Sequence, residues 1–396
     1  LGTGAHGEGV GMSGSTAGTG LPQRLRQTLG DIVGLLVGPV VAVALALIVG
    51  AVGIALFSGL LPAGKPLDFG LPGRAYYALF TGAISTTTFV YATPLILAGL
   101  GVALGFKAGL FNIGGRGQFL MGALGAMAVA TWLGTSMPAI VEIPLALGFA
   151  MLLGAIAGFI PGFLKATSGA HEVVTTIMLN YILADVLYWA VSGPLVPARA
   201  PQPITINVVD SSNAYLPGLP LIGNVGVVIA ILAVPIVWFL LYRTTLGFEI
   251  RTAGANPDAA RYGGMKPRRL IVLTMTVAGM LSGLAGACIL LGNDYQMTPG
   301  YDTTVGFDAI TVALLGRSNP VGAFFAALLL GGMRAGSGPM QIQAGVPREL
   351  VDALQAIILL FLVMNVLRHW LGARGVRGTD LAGIETVTRT YGRESV

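Results

Sequence analysis

Charge is what this chain of 396 residues has least of: 22 Lys+Arg and 17 Asp+Glu, 10% of the sequence, where a soluble domain carries about 25%. So few charges cannot cover the surface of a water-soluble globule of this length. Cysteine is nearly absent, and the single thiol, Cys288, excludes a disulfide framework and any cysteine-built zinc or iron–sulfur site. Histidine is almost as scarce. His6, His171 and His369 lie too far apart in sequence to suggest a metal cluster or a catalytic triad. Apolar residues make up 54% of the chain, mean hydropathy is +0.80, and the 59 glycines lack the three-residue period of collagen. These numbers give an all-α polytopic membrane protein.

A spanning helix needs about 20 mostly apolar residues. Six uncharged windows qualify: 32–64, 75–106, 117–141, 143–164, 211–242 (with its helix starting near Gly223) and 270–293. A seventh, 173–192, is apolar except for Asp185, and three weaker stretches follow at 307–316, 318–333 and 350–367. The expectation is eight to ten transmembrane helices. With ten spans and an inside N-terminus, seventeen basic residues fall inside, Arg116 among them, against five outside, including Arg334. Basic residues accumulate on the cytoplasmic side, so both termini are expected there. This asymmetry accounts for the net charge of +5 without a nucleic-acid partner.

The expected organisation is a disordered Gly/Ser/Thr-rich segment at 1–20, a transmembrane domain at 21–372 and a polar cytoplasmic tail at 373–396. Arg24 and Arg26 ahead of an apolar run imitate a signal peptide, but the run far exceeds a cleavable core, so a retained first helix is expected. Between spans five and six, the outside loop 193–222 holds Pro194, Pro197, Pro201, Pro203, Pro217 and Pro220. That density prevents helix and favours an extended covering, whether a lid, a docking surface or a connector.

Several motifs fail on inspection. Gly59–Pro66 reads GLLPAGKP, with Pro66 where a phosphate-binding loop needs Ser or Thr for magnesium. His171-Glu172 opens HEVVT, but Thr175 stands where a zincin helix has its second His. Gly99, Gly101, Gly105 and Gly109 follow no strand, and their near four-residue spacing suits close helix packing in lipid. The chain therefore offers no catalytic set, metal site or nucleotide site of its own.

Loop 243–269 is too polar to cross a membrane and too patterned for a simple connector. Asn256-Pro257-Asp258 reads as a helix start, with Asn as cap and Pro at the first helical position. Ala259, Ala260 and Arg261 continue a short helix that Gly263-Gly264 would end. A small-residue helix on the inner face can rest in a groove of another protein; a solvated basic loop is the bland alternative.

This loop resembles the coupling loop of ABC-importer permeases, whose Gly-x-Asn-x-x-Ala-Ala-x-x-x-Gly pattern is matched by Gly254, Asn256, Ala259, Ala260 and Gly264. GFKAGLFNIGGRGQ (105–118) is similar to a signature of sugar and nucleoside permeases, and LKATSGAHEVVTTIMLNYI (164–182) to a stretch of the nucleoside branch. The chain departs from those patterns at His171, usually Asn, and at Gly115-Arg116, usually Ala-Glu. The resemblance, over about residues 30–370, implies a type II-like permease in a bacterial plasma membrane. It implies an ATPase subunit that binds ATP and magnesium, a second permease, and a substrate-binding lipoprotein. Gly254, Asn256, Pro257, Ala259, Ala260 and Gly264 would then couple to the ATPase.

Polar residues within a span are costly and face a cavity or another helix. Thr175, Thr176, Asn180, Tyr181 and Asp185 in span five are therefore candidates for the substrate pathway, as are Asn112 and Gln118 in the glycine-rich break before span three. Asp308, Arg317 and Asn319 mark a late break. Each of these residues could instead stitch helices together. A weak echo links Gly115-Arg116-Gly117-Gln118 to Gly316-Arg317-Ser318-Asn319, as half of an inverted repeat or by chance. The reading is a nucleoside permease, with a simple-sugar permease as runner-up and a branched-chain amino-acid permease behind it. A proton-coupled transporter titrating at Asp185 is the alternative from another class, and an intramembrane enzyme is disfavoured by the missing catalytic sets.

Overall fold

The computed structural model describes residues 40–56, 68–197 and 201–372. The expected disordered segment 1–20, the stretch Gly59–Pro66 and the tail 373–396 lie outside the described residues. Helix α1 (Val40–Leu56) is followed by α2 (Leu71–Ala83) and α3 (Thr86–Lys107), so the single window 75–106 is two helices. They part where the Ser85 hydroxyl donates to Gly82 O at 2.8 Å and the Thr88 hydroxyl to Ala83 O at 2.6 Å. Such local bonds offer the backbone an alternative to the helical ladder.

Helix α4 (Gly115–Leu133) stops at Gly134, whose φ of +55° suits glycine. Pro138 then caps α5 (Ala139–Ser168), which starts ahead of the expected window because Glu142 does not end it. That carboxylate is wholly buried and accepts from the Ser212 hydroxyl at 2.5 Å and the Asn213 N–H at 3.2 Å. Helix α6 (Glu172–Ser192) falls within a residue of the expected 173–192. Lys165 and Glu172, 2.5 Å apart, close the α5–α6 hairpin, so the Glu of HEVVT serves packing.

Among its described residues the proline-rich loop holds a four-residue helix, α7 (Val208–Ser211), where none was expected, and the two-residue strand β1 (Gly218–Leu219), which pairs with β2 (Gly223–Asn224) just beyond it. It is pinned to residues 291–297 by Thr205 N–H to Met297 O (3.1 Å), Val208 N–H to Tyr295 O (3.0 Å) and Leu216 N–H to Leu291 O (2.8 Å). Then come α8 (Val225–Arg243), α9 (Thr245–Ala255), α10 (Pro257–Tyr262) and α11 (Pro267–Ile289), the last continued by a π-helical turn to Asp294. Helices α12 (Val305–Leu315), α13 (Pro320–Ala344) and α14 (Glu349–Gly372) complete the described residues.

Six of the described helices are long and apolar enough to cross a membrane: α3, α5, α6, α8, α11 with its π turn, and α13. Beside them stand the shorter apolar helices α1 and α12, so the described residues hold six helices of spanning length where eight to ten were expected. The chain is an all-α, multi-pass membrane protein. Helix α11 runs through the middle against α3, α4 and α5, while α13 packs on α2 and α3. Gly154 and Gly158 of α5 meet Met275, Gly279 and Gly283 of α11 so closely that a Cβ at Gly154 or Gly279 would overlap the other's carbonyl oxygen. The expected packing role of the α3 glycines is realised in part. Gly99 lies on Val312 of α12 and Gly101 on Ala278 of α11, whereas Gly105 meets Leu110 O just past its own helix and Gly109, beyond the end of α3, lies on Gly254.

Candidate functional site

At one end of the bundle, loop 243–269 folds into two helices. Asn256 Oδ1 accepts from the N–H groups of Asp258 and Ala259, both at 3.0 Å, and Pro257 occupies the first helical position of α10. Gly264, at φ +81°, ends it. A six-residue helix has no stability of its own, so this cap, worth about 1 kcal/mol, and tertiary seating must hold it. Ala260 provides the seat: it is fully buried, while Asp258, Ala259, Arg261 and Tyr262 face outward. Helix α9 was not anticipated from sequence. Its Thr and Gly content is poor for helix, but Thr244 caps Gly247 at 3.1 Å and Gly247, Ile250 and Ala253 bury one face at three-residue spacing. Beside it, a cleft lined by Leu246, Glu249, Met265, Lys266, Arg269 and Leu270 opens between α9 and α11. Arg243 stacks over Trp238 at 5.6 Å and Arg251 over Tyr242 at 5.2 Å, a basic and aromatic rim suited to a membrane interface.

Gly254 joins this platform to the interior. A Cβ there would overlap Lys107 O and lie 2.7 Å from Ala108 C, so α9 rests backbone to backbone on the end of α3. From that contact the chain turns inward as an irregular segment, 108–114. Asn112 Oδ1 accepts from Gly114 N–H at 2.9 Å, and Asn112 Nδ2 donates to Gln118 Oε1 at 3.1 Å. Asn180 accepts from Gly117 N–H at 2.8 Å and donates to Ile113 O at 2.9 Å. Asn112, Gln118, Thr176 and Asn180 are all buried and hydrogen-bonded, the Thr176 hydroxyl to Glu172 O at 2.7 Å. Of these, Asn180 holds the break against α6. Irregular backbone at depth needs such partners.

Asn180 is the ninth of the 21 residues of α6. Helix α4 therefore begins halfway along a span, and Gly306, at the start of α12, abuts Arg116 and Gly115 there. Two ion pairs flank this junction. Arg116 binds Asp302 with both Nε–Oδ1 and Nη2–Oδ2 at 2.7 Å. Arg334 of α13 binds Asp308 at 2.5 Å and also donates to the Thr304 hydroxyl. Of the sequence candidates, Asp308 thus sits in an ion pair. Tyr181 and Asp185 are exposed on the outer side of α6, and the Thr175 hydroxyl, partly exposed, donates to Glu172 O at 3.1 Å.

Sequence reasoning missed Arg116, Asp302 and Arg334. It placed Arg116 and Arg334 in loops, whereas both lie within helices. The one available signal was Arg116 inside a glycine-rich break that leads into an apolar run; Asp302 had none. The echoed segments also differ, since Gly115–Gln118 opens α4 whereas Gly316–Asn319 is the turn before α13.

The family described as branched-chain amino acid transport system, permease component, matches residues 84–363. A guanosine ABC transporter permease protein of Bacillus subtilis is 40% identical over 353 residues, 86% of this chain and 97% of its own. A nucleoside ABC transporter permease protein of Lactococcus lactis is 36% identical, covering 78% of this chain and 89% of its own. A glucose ABC transporter permease protein of Haloferax volcanii is 32% identical, covering 83% and 87%. The nucleoside relatives come in pairs: a second guanosine permease protein of Bacillus subtilis and a second nucleoside permease protein of Lactococcus lactis match at 27% and 25%.

Proposed function

The chain belongs to the family of branched-chain amino acid transport system permease components, and from that premise we propose that it is the membrane subunit of an ATP-driven importer of nucleosides. The observation that carries the ATP-driven part is α10, a capped helix whose outer face, Asp258, Ala259, Arg261 and Tyr262, is offered at one end of the bundle. An ATPase subunit, holding ATP and magnesium, docks on that face and the adjoining cleft. Both chain termini then lie on the same cytoplasmic side of a bacterial plasma membrane, as the basic residues of loop 243–269 direct. A second permease lies along α6, and the solute passes between the two subunits after delivery by a substrate-binding lipoprotein. Asp185 supports this arrangement, because an exposed carboxylate on a span is too costly to leave in lipid.

Force travels by contact. The ATPase displaces α10 and α9; Gly254 bears on Lys107 and Ala108; the break 108–114 follows, and with it the start of α4. ATP needs only to bias two conformations by differential contacts.

The nucleoside assignment rests on the two relatives at 40% and 36% identity. The simple-sugar alternative rests on the glucose relative at 32%. Reconstituting the chain with its ATPase, second permease and binding protein in liposomes tests both. Guanosine uptake that requires ATP inside or outside, on the ATPase side, is the expected result. Uptake by the lone chain on a proton gradient would refute the ATP-driven reading, and glucose uptake without nucleoside uptake would refute the substrate.

A further inference from the structure

The Arg116–Asp302 pair is at the level of mid-α6, yet Asp302 keeps 53% of its side chain exposed and Arg116 keeps 20%. Facing lipid, a half-open carboxylate at that depth would be costly, so on the proposed arrangement it faces the passage between the two permeases. Neither group is used up by the other. A guanidinium has five N–H donors, and two of Arg116's are engaged. Asp302 Oδ1 also accepts from Thr303 N–H at 2.7 Å, which fixes the carboxylate, while Oδ2 keeps an open lone pair. Tyr181, 64% exposed, follows Asn180, whose side chain accepts from the N–H of Gly117 next to Arg116 at 2.8 Å, so α6 presents an aromatic ring at the level of this polar edge.

Acceptors and donors fixed side by side next to an aromatic face suit a ring that bears hydroxyls on adjacent carbons. Each hydroxyl can donate to the carboxylate and accept from a guanidinium N–H, while the ring lies against the tyrosine. We infer that Arg116, Asp302 and Tyr181 form a way-station in the passage for the vicinal diol of a ribosyl group. The inference rests on the nucleoside reading for its ligand, but the diol is shared by nucleosides and free sugars. A base edge with two adjacent N–H donors is the competing ligand chemistry.

The test is equilibrium binding of labelled guanosine to the permease pair in nanodiscs, with no binding protein present. Asp302→Asn weakens binding about ten-fold or more, the loss of one charge-assisted hydrogen bond. Free ribose competes with guanosine, and 2′,3′-dideoxyguanosine does not. Should the Asn variant fail to assemble, Arg116→Lys, which keeps the charge and loses the fork, carries the same expectation. Competition by dideoxyguanosine equal to that of guanosine would overturn the diol assignment. So would unchanged affinity in an assembled variant, or no saturable binding by a wild-type pair that imports guanosine. If the complete wild-type transporter imports no nucleoside, the parent reading fails separately; labelled ribose then tests the station, and the same Asp302→Asn loss is required.

Discussion

Replacing Gly254 by Val tests the path of force at its narrowest point. An ideal Cβ at Gly254 overlaps Lys107 O and sits 2.7 Å from Ala108 C and 2.9 Å from Ala108 Cα. All three neighbours are backbone, so no side chain can swing aside, and the two segments must separate. Facing them, Gly109 adopts φ +70° with its own Cβ position 3.1 Å from Gly254 O, which leaves no room for a compensating shift. Overpacking of this kind costs about 1–3 kcal/mol. If the contact is the same in both transport conformations, the whole strain is lost stability. If α9 bears harder on α3 in one of them, the strain moves the equilibrium instead, by roughly 5- to 150-fold for 1–3 kcal/mol. ATP hydrolysis and solute uptake are measured on the same proteoliposomes, and solute imported per ATP is expected to fall at least about five-fold in the assembled variant. Gly263→Ala is the control, because a Cβ there meets neighbours only at 3.5 Å. An assembled Gly254→Val complex with the wild-type ratio would refute transmission through this contact.

Ala259 and Ala260 separate docking from seating. Ala259→Arg adds bulk on the exposed side of α10 and is expected to abolish ATPase stimulation by loaded binding protein without moving the melting temperature; a lower melting temperature would mean that Ala259 is a packing residue. Ala260→Arg, at a fully buried position, is expected to lower it. Asn180→Ala strips Gly117 N–H and Ile113 O of their partners, at about 1–3 kcal/mol for each buried group. Thermal unfolding of the purified permease should show that loss, and an unchanged transition would mean that the break is not held by α6.

What was legible from sequence was whatever chemistry is local. The Asn256-Pro257 start and Gly263-Gly264 end of α10 are set by caps within a few residues, so pattern alone found them. Helix α6 was bounded within a residue because a charge, Glu172, opens it and Gly193 follows it. Helix α9 was hidden because its stability comes from α8, α3 and α11 and not from its own residues. The window 75–106 hid a break because serine and threonine are uncharged, and a reading that stops only at charges passes over them. Glu142, Arg116 and Arg334 misled the same reading from the other side. Each was taken to end or leave a span, yet each lies inside a helix with a partner distant in sequence, Ser212, Asp302 or Asp308, that sequence order cannot reveal.

The two ion pairs beside α12 differ in a way that bears on which contacts can part during transport. Arg334 and Asp308 are 21% and 17% exposed, and α12 is thereby tied to α13. Arg116 and Asp302 tie the approach to α12 onto α4, but Asp302 is 53% exposed. Removing one partner of a buried pair strands a charge and costs about 3–5 kcal/mol, whereas an open pair is worth about 0–1 kcal/mol because water replaces the lost partner. The ion pair itself therefore opposes little the parting of α4 from α12, while the buried pair keeps α12 with α13. Arg334→Gln is accordingly expected to lower the thermal stability of the purified permease markedly, and Arg116→Gln to shift it little, on the same unfolding measurement. Equal losses in the two variants would mean that both pairs are structural and that the α4–α12 junction does not open.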